Sequence, residues 1–411
     1  MNHKAKNKLW IFSELFYPVE TASGYYLTGI AKHLANINEV NVFCGPKSYE
    51  LKEKKSLKNK VLHSNIHIQR VNSFSFNKNH FFTRFLRLIF LSLSFTSKLL
   101  SNVKKNDTVI VVTNPTFFIP FVALFSNFIK FRLIILVHDV FPENLVSTKI
   151  VSERNLFYRF VKYIYNKSFS KANKIVVCGR DMKDLFLTKI GKDLSSKIIV
   201  IENWADTKFV FPTEINRNEV YKNSITQDKI IFQFAGNLGR LQGLEEILKI
   251  AKIIQNTRIH FVIIGEGAFK SYLIQLAKEM NLSNVTFLNS FARDEQNLFL
   301  NSCDVGIVSL YDSMFGLGVP SKTYNLMAAG KPILYFGNSQ SEIALMIKEN
   351  EIGWNFNFSQ LDEILIFFNN FDEASIVKKS HMSRRIAESL YSEEKIIKKY
   401  LKMLEIDNPV L

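Results

Sequence analysis

Short apolar runs without polar alternation, in two successive series separated by helical patterns, constrain this chain most. Thr108–Val112 (TVIVV) and Phe131–Val137 (FRLIILV) are the clearest. A strand with one face in water alternates polar and apolar residues. Continuous runs therefore predict strands covered on both faces by helices, as in parallel sheets. In the first series Lys8–Phe12, Val40–Phe43, Lys174–Val177 and Ile198–Val200 read as further strands. Gly24–Ala35 reads as a helix with Leu27, Ile30, Ala31 and Leu34 on one side. The second series restarts at Lys229–Phe234 and continues through His260–Ile264, Val285–Leu288, Val305–Val308 and Pro332–Phe336. Helical patterns lie between these strands at 244–254, 270–280 and 321–329. Repeated βα units on this scale predict an α/β fold of two Rossmann-like doubly wound domains. The division falls near ENWADTKFVFP (202–212), giving domains over 1–205 and 206–380. A helical stretch at roughly 378–405 has no strand of its own, and 381–411 is expected to pack back on the first domain.

The 411 residues carry a net charge of +16, distributed unevenly. Residues 1–205 hold 31 Lys+Arg against 13 Asp+Glu, whereas 206–411 hold 22 against 24. An anionic partner is therefore expected for the first half only. Within it lie the lysine-rich segment 47–60 and the apolar stretch His80–Leu100. Arg84, Arg87 and Lys98 recur there at near-helical spacing, with His80 and Ser94 on the same side. Such a helix can lie in a membrane interface with its cations near phosphates, or it can face a protein core. Its charges rule it out as a spanning helix, and the N-terminus lacks a signal peptide's apolar core because Glu14 interrupts the run. Cys44, Cys178 and Cys303 are far apart, which fits buried thiols in a reducing cytosol.

Neither half contains GxGxxG or a P-loop, which argues against dinucleotide oxidoreductases and NTPases. No Asp-x-Asp pair is present, and no dedicated metal site is expected. The basic residues form no nucleic-acid reader motif, and no nucleic-acid partner is expected. Three stretches could carry chemistry. In ILVHDVFPENL (135–145), His138 follows a buried strand, where doubly wound folds expose reactive groups. In FQFAGNLGRLQGLEEIL (232–248), Gly236 and Gly239 allow a ligand to approach the backbone, and Arg240 adds a charge. In GLGVPSKTYNLMAAGKPIL (316–334), Ser321 is a candidate N-cap. Lys322 sits in the first turn there, where a cation opposes the helix dipole unless an anion binds.

Seven stretches in consistent order resemble glycosyltransferase family 4 of GT-B fold, most of all the bacterial subgroup that builds O-antigen and capsule, including fucosamine transferases. They are LFYPVETASGYYLTGIAKHLA (15–35), VTNPTFFIPFVALF (112–125), HDVFPEN (138–144), AGNLGRLQGLEEIL (235–248), VIIGEGAFK (262–270), NVTFLNSFARDE (284–295) and CDVGIVSLYDSMFGLGVPSKTYNLMAAGKPIL (303–334). The resemblance implies two domains facing across a cleft and retaining, metal-independent transfer of a sugar from a UDP-sugar. The UDP-sugar is a co-substrate, and no further cofactor is implied. The implied acceptor is a polyprenyl-diphosphate-linked saccharide, reached from the cytoplasmic face of an anionic inner membrane by a peripherally bound enzyme.

On the same resemblance the second domain holds the nucleotide. Its base lies near Ser290 and Phe291, and its diphosphate lies between the 236–243 turn and the Ser321–Asn325 helix start. Gly24 sits where the family's first loop closes over the donor, and His138 contacts the transferring sugar. The chain also departs from the family. Asn237 and Gln242 stand where many members have Arg and Lys, and Leu317 and Asn325 stand where many have glutamates. Asp312 is a candidate replacement for the first glutamate, Arg240 and Lys322 for the phosphate charge, and Asn325 for a ribose contact. The alternative is a catalytically silent GT-B subunit that binds lipid or a partner enzyme.

Overall fold

The computed structural model describes residues 7–19, 21–46, 62–71, 81–214, 217–221 and 228–406, with the backbone alone at 81, 82, 84, 218 and 406. The chain divides into two compact units, one comprising 1–201 and 399–411 and the other 202–398.

Unit 1 is built on strands β1 (Leu9–Ser13), β2 (Val40–Cys44), β3 (Ile66–Arg70), β4 (Thr108–Val112), β5 (Arg132–Val137), β6 (Lys174–Val177) and β7 (Ile198–Val200). All pairings are parallel, in the order β3-β2-β1-β4-β5-β6-β7. Helices α1 (Ala22–Leu34), α2 (Phe81–Asn102), α3 (Phe118–Ile129), α4 (Glu143–Ser147), α5 (Leu156–Lys171) and α6 (Arg180–Ile190) connect them. Strand order reverses between β1 and β4. Right-handed crossovers therefore put α1 on one sheet face and α2, α3, α5 and α6 on the other. The apolar runs become the core: β1 is wholly buried, as are five of the six β5 residues. Rings of Phe12, Phe43, Phe95 and Phe118 pack on the sheet, with Phe12 centroids 5.2 Å from both Phe43 and Phe118. Each buried Phe or Ile contributes roughly 1.5–3 kcal/mol.

Unit 2 repeats the plan with β8 (Ile230–Ala235), β9 (Ile259–Ile264), β10 (Val285–Leu288), β11 (Val305–Ser309), β12 (Ile333–Phe336) and β13 (Gly353–Phe356). The order is β10-β9-β8-β11-β12-β13, again parallel. Its helices are α7 (Arg217–Tyr221), α8 (Leu244–Ile253), α9 (Lys270–Glu279), α10 (Gln296–Asn301), α11 (Lys322–Ala328), α12 (Glu342–Asn350), α13 (Leu361–Asn369) and α14 (Ala374–Ser389), followed by α15 (Glu393–Ile406). Phe232, Phe261 and Phe368 form an aromatic centre, with centroids 5.1–6.0 Å apart.

The structure differs from the sequence expectation in three places. The single helix expected over 378–405 is two, because the chain breaks at Leu390–Ser392 and Ala205 bridges to Ser392. α14 packs on α11 within unit 2, while residues from Lys399 onward belong to unit 1, where Arg132 donates to the carbonyls of Met403 and Leu404 (3.3 Å each). The cationic stripe of α2 is broken at Arg87, while Lys98 is exposed as expected. Arg87 is buried and ion-paired with the buried Glu14 that follows β1, and Lys98 lies 6.0 Å above the Phe43 ring. The helix turns Arg87, Leu91, Phe95 and Leu99 inward and exposes Phe85, Phe90, Leu93 and Leu100. Segment 47–60, His80 and the Arg84 side chain lie outside the described residues. No helix among the described residues is long and apolar enough to cross a membrane.

Candidate functional site

In unit 2 the glycine turn forms where β8 and β9 end side by side. Gly236 and Gly265 both have φ of +150°, a conformation that L side chains rarely adopt. A Cβ on Gly265 would sit 1.9 Å from the Gly236 carbonyl oxygen, and one on Gly267 would sit 2.3 Å from that of Leu238. The two loops are thus stacked backbone on backbone, held by Gly236 N–H to Ile264 and Leu238 N–H to Glu266 (3.0 and 2.9 Å). Gly265 and Gly267 drew no role from the sequence, although a glycine directly after a strand is the signal for such contact.

Lys322 meets this turn. A Cβ on Gly236 would be 2.8 Å from Lys322 Nζ, so the glycine leaves room for the ammonium. The ammonium lies 3.3 Å from the Phe234 ring centroid, and no carboxylate pairs with it among the described residues. Desolvation lowers its pKa from 10.5 to about 7. A lysine held beside exposed glycine backbone without a counter-charge is arranged to receive an anion.

The other candidate is in unit 1. His138 directly follows β5, is half-buried, and has no hydrogen-bonding partner for its ring among the described residues. Burial lowers its pKa to about 4, so near neutral pH the imidazole is uncharged, with one N–H to donate and one nitrogen to accept. The loop behind it is fixed by Glu143, which accepts from buried Lys189 through both oxygens (2.6 and 2.8 Å). Lys162 approaches the same carboxylate at 3.5 Å.

Comparison with known proteins decides what kind of chain carries these groups. Residues 23–209 match the description Glycosyltransferase Family 4, and residues 216–365 match Glycosyl transferases group 1. The probable glycosyltransferase WbjE of Pseudomonas aeruginosa is 34% identical over 324 residues, covering 79% of this chain and 80% of WbjE. The chain belongs to this glycosyltransferase family. Its two parallel sheets match solved GT-B structures at low identity. Anabaena HepE in complex with UDP and glucose superimposes with a TM-score of 0.69 at 15% identity, covering 97% of this chain and 99% of HepE. WaaG, a glycosyltransferase involved in lipopolysaccharide biosynthesis, gives 0.66 at 15%, covering 95% and 99%.

The remaining candidate residues of the transferase fall into place individually. Arg240 is exposed on this turn with its guanidinium 5.8 Å above the Phe269 ring, while Lys322 is the cation packed against Gly236. Asn237 is exposed on the same turn. Gln242 is a brace, its side-chain oxygen accepting from Gly239 N–H (3.0 Å) while its backbone oxygen accepts from Ser309.

Ser321 stands at the N-cap position, but its backbone is already helical and its side chain makes no capping bond. The amides expected to be free there are partly used, since Thr323 and Tyr324 N–H reach the carbonyls of Pro320 and Ser321 at 3.3 Å. Asn325 is buried and its Oδ1 accepts from Asp206 N–H (3.2 Å), leaving its NH₂ and one oxygen lone pair for a ligand. Leu317 is buried, and Asp312 accepts from Asn357 (2.7 Å), so the expected replacement carboxylate already has a partner.

Phe291 is half-buried and stacks on Phe299 (5.4 Å, 27°), a platform on which a flat base can extend the stack. Gly24 is buried in the first turn of α1. Its absent Cβ would meet the Val19 carbonyl at 2.6 Å, so close packing accounts for this glycine.

Proposed function

We propose that this glycosyltransferase transfers a sugar, with retention and without a metal, from a UDP-sugar to a polyprenyl-diphosphate-linked saccharide in surface polysaccharide synthesis. The observation that carries the reading is the Lys322 ammonium, unpaired by any carboxylate among the described residues and seated against Gly236. In departure of a nucleoside diphosphate, negative charge grows on the β-phosphate. A preplaced cation in a partly desolvated site stabilises that charge more than it stabilises the ground state. The UDP bound to HepE and the lipopolysaccharide role of WaaG support UDP and a cell-surface glycan as the substrate classes.

In this reading unit 2 is the donor domain. Phe291 supports the base, Gly236 and Asn237 line the diphosphate path with Lys322 and Ser321, and the Asn325 NH₂ faces the ribose. Gly24 contributes by holding its loop in shape, and Arg240 contributes only on leaving Phe269. Unit 1 is the acceptor domain, and neutral His138 donates a hydrogen bond to a hydroxyl of the transferring sugar, an N-acetylated or deoxy hexose. The enzyme works peripherally on the cytoplasmic face of the inner membrane.

A catalytically silent subunit is the alternative, favoured by buried Leu317 and by the engaged Asn325 and Asp312. Calorimetry with UDP-sugars separates the two, because a silent subunit of that kind takes up no donor. Release of UDP in the presence of a polyprenyl-linked acceptor, lost in Lys322→Ala, is the expected result.

A further inference from the structure

More than half of the large hydrophobic side chains exposed among the described residues lie between Phe85 and Tyr163, on α2, α3 and α5 or the segment before α5. These three helices share one face of the unit 1 sheet, with α3 packed between α2 and α5. The outward residues follow helical spacing. On α3 they are Phe121, Leu124 and Phe128, and on α5 Leu156, Phe160 and Tyr163. Exposure peaks where α5 begins, at 78% for Leu156, 73% for Phe157 and 61% for Phe160. Exposed apolar side chains clustered at the start of one helix mark an interaction surface, unlike isolated exposed leucines.

The charges beside it identify the partner. None of the three helices contains an aspartate or glutamate. Arg159 is exposed on α5, Lys130 closes α3, and Lys167 lies 4.8 Å above the outward Tyr163 ring. Surface helices facing water normally mix both signs. The exposed Glu153 just before α5 is outnumbered by exposed Lys149, Arg154, Arg159 and Lys167, and an apolar stripe with that cation excess and a tyrosine at the boundary matches the acyl–headgroup interface of an anionic bilayer. A second copy of the chain is disfavoured as occupant, because two-fold pairing would press this cationic face against itself. We infer that the outer face of α5, centred on Leu156, Phe157 and Phe160, inserts into the surface of an anionic phospholipid membrane. The inference rests on the proposed membrane-held acceptor and replaces the α2 cationic stripe, whose Arg87 is buried.

Sedimentation of the full chain with phosphatidylcholine vesicles, with and without phosphatidylglycerol, tests it. The wild type should bind the anionic vesicles, more weakly in high salt. Arg159→Gln with Lys167→Gln should bind roughly thirtyfold more weakly at low salt, from about 1 kcal/mol per cation near the surface. Phe157→Ser with Phe160→Ser should lose about tenfold or more at any salt, through lost apolar insertion. Val377→Ser, equally exposed but on α14, should bind as the wild type does. Wild type that ignores anionic vesicles, or pair variants that bind like it, would overturn the assignment. So would a wild-type dimer in ultracentrifugation that Phe157→Ser/Phe160→Ser dissociates without any vesicle binding. UDP calorimetry on the same samples separates the two claims. Nucleotide binding without vesicle binding removes this surface and leaves the donor site, whereas vesicle binding without nucleotide binding supports the surface and removes the donor site.

Discussion

Replacing Lys322 with methionine should move stability and donor binding in opposite directions. The ammonium is half-buried over Phe234 without a carboxylate partner, and its pKa falls from 10.5 to about 7. At 1.36 kcal/mol per unit, a depression of that size corresponds to about 5 kcal/mol of unfavourable charging. Residual water contact and the aromatic ring return part of this, the ring about 1–2 kcal/mol, leaving a net penalty of about 1–3 kcal/mol. Methionine fills a similar volume and carries no charge, so Lys322→Met should stabilise unit 2 by about that amount. For a domain of this size that is roughly 2–4 °C in Tm per kcal/mol.

The pH dependence has a definite sign. A lysine whose folded pKa is depressed carries its full penalty below about pH 7, where both states are protonated, and loses it toward 10.5, where neither is. The gain should therefore be largest at or below pH 7 and fade as pH rises. Donor binding should fall by about 2–5 kcal/mol, the usual cost of removing one partner of a desolvated charged pair. The assay is thermal melting with and without UDP. At a hundredfold excess over Kd, UDP should stabilise the wild type by about 2.7 kcal/mol and the variant hardly at all. A variant that melts below the wild type at pH 7, or that keeps the UDP-induced shift, would refute the reasoning.

Three further outcomes follow from the same geometry. Affinity for a UDP-sugar, measured by calorimetry, should be flat below pH 7 and fall by up to about tenfold per unit above it, since binding must protonate Lys322. Proton uptake from buffers of different ionisation enthalpy checks the direction. Gly265→Ala should destabilise unit 2 by about 2–4 kcal/mol in urea melts, because a Cβ there meets the Gly236 oxygen at 1.9 Å in a backbone region that itself costs 1–3 kcal/mol. Lys189→Met should cost about 1.5–3 kcal/mol by leaving Glu143 only the longer contact with Lys162 (3.5 Å), and adding Glu143→Gln should recover much of that loss.

The sheets were legible because strands covered on both faces leave a continuous apolar run, as at β4 and β5. The strands that escaped notice lie at sheet edges. β3 (IHIQR) exposes alternate residues and β13 (GWNF) is only half-buried, so neither shows the run. Helical periodicity correctly identified α2 but could not tell which side faces inward. That was decided by Glu14, a carboxylate buried at the end of β1, far away in sequence. The meeting of Lys322 with the Gly236 turn was foreseeable from strand-end glycines and a first-turn lysine. The engagement of Arg240 by Phe269, Asn325 by Asp206 and Asp312 by Asn357 depends on tertiary neighbours that no motif encodes.

The central claim is transfer of a sugar from a UDP-sugar, with Lys322 stabilising the departing diphosphate and neutral His138 contacting the sugar. Its most direct test is UDP release from a panel of UDP-sugars offered with a polyprenyl-diphosphate-linked acceptor. The wild type should release UDP in an acceptor-dependent manner with at least one donor. Lys322→Ala should lose about 10²–10³ in rate, as expected when one transition-state donor is removed, and His138→Ala should also be impaired. Wild-type rates in both variants would contradict the account.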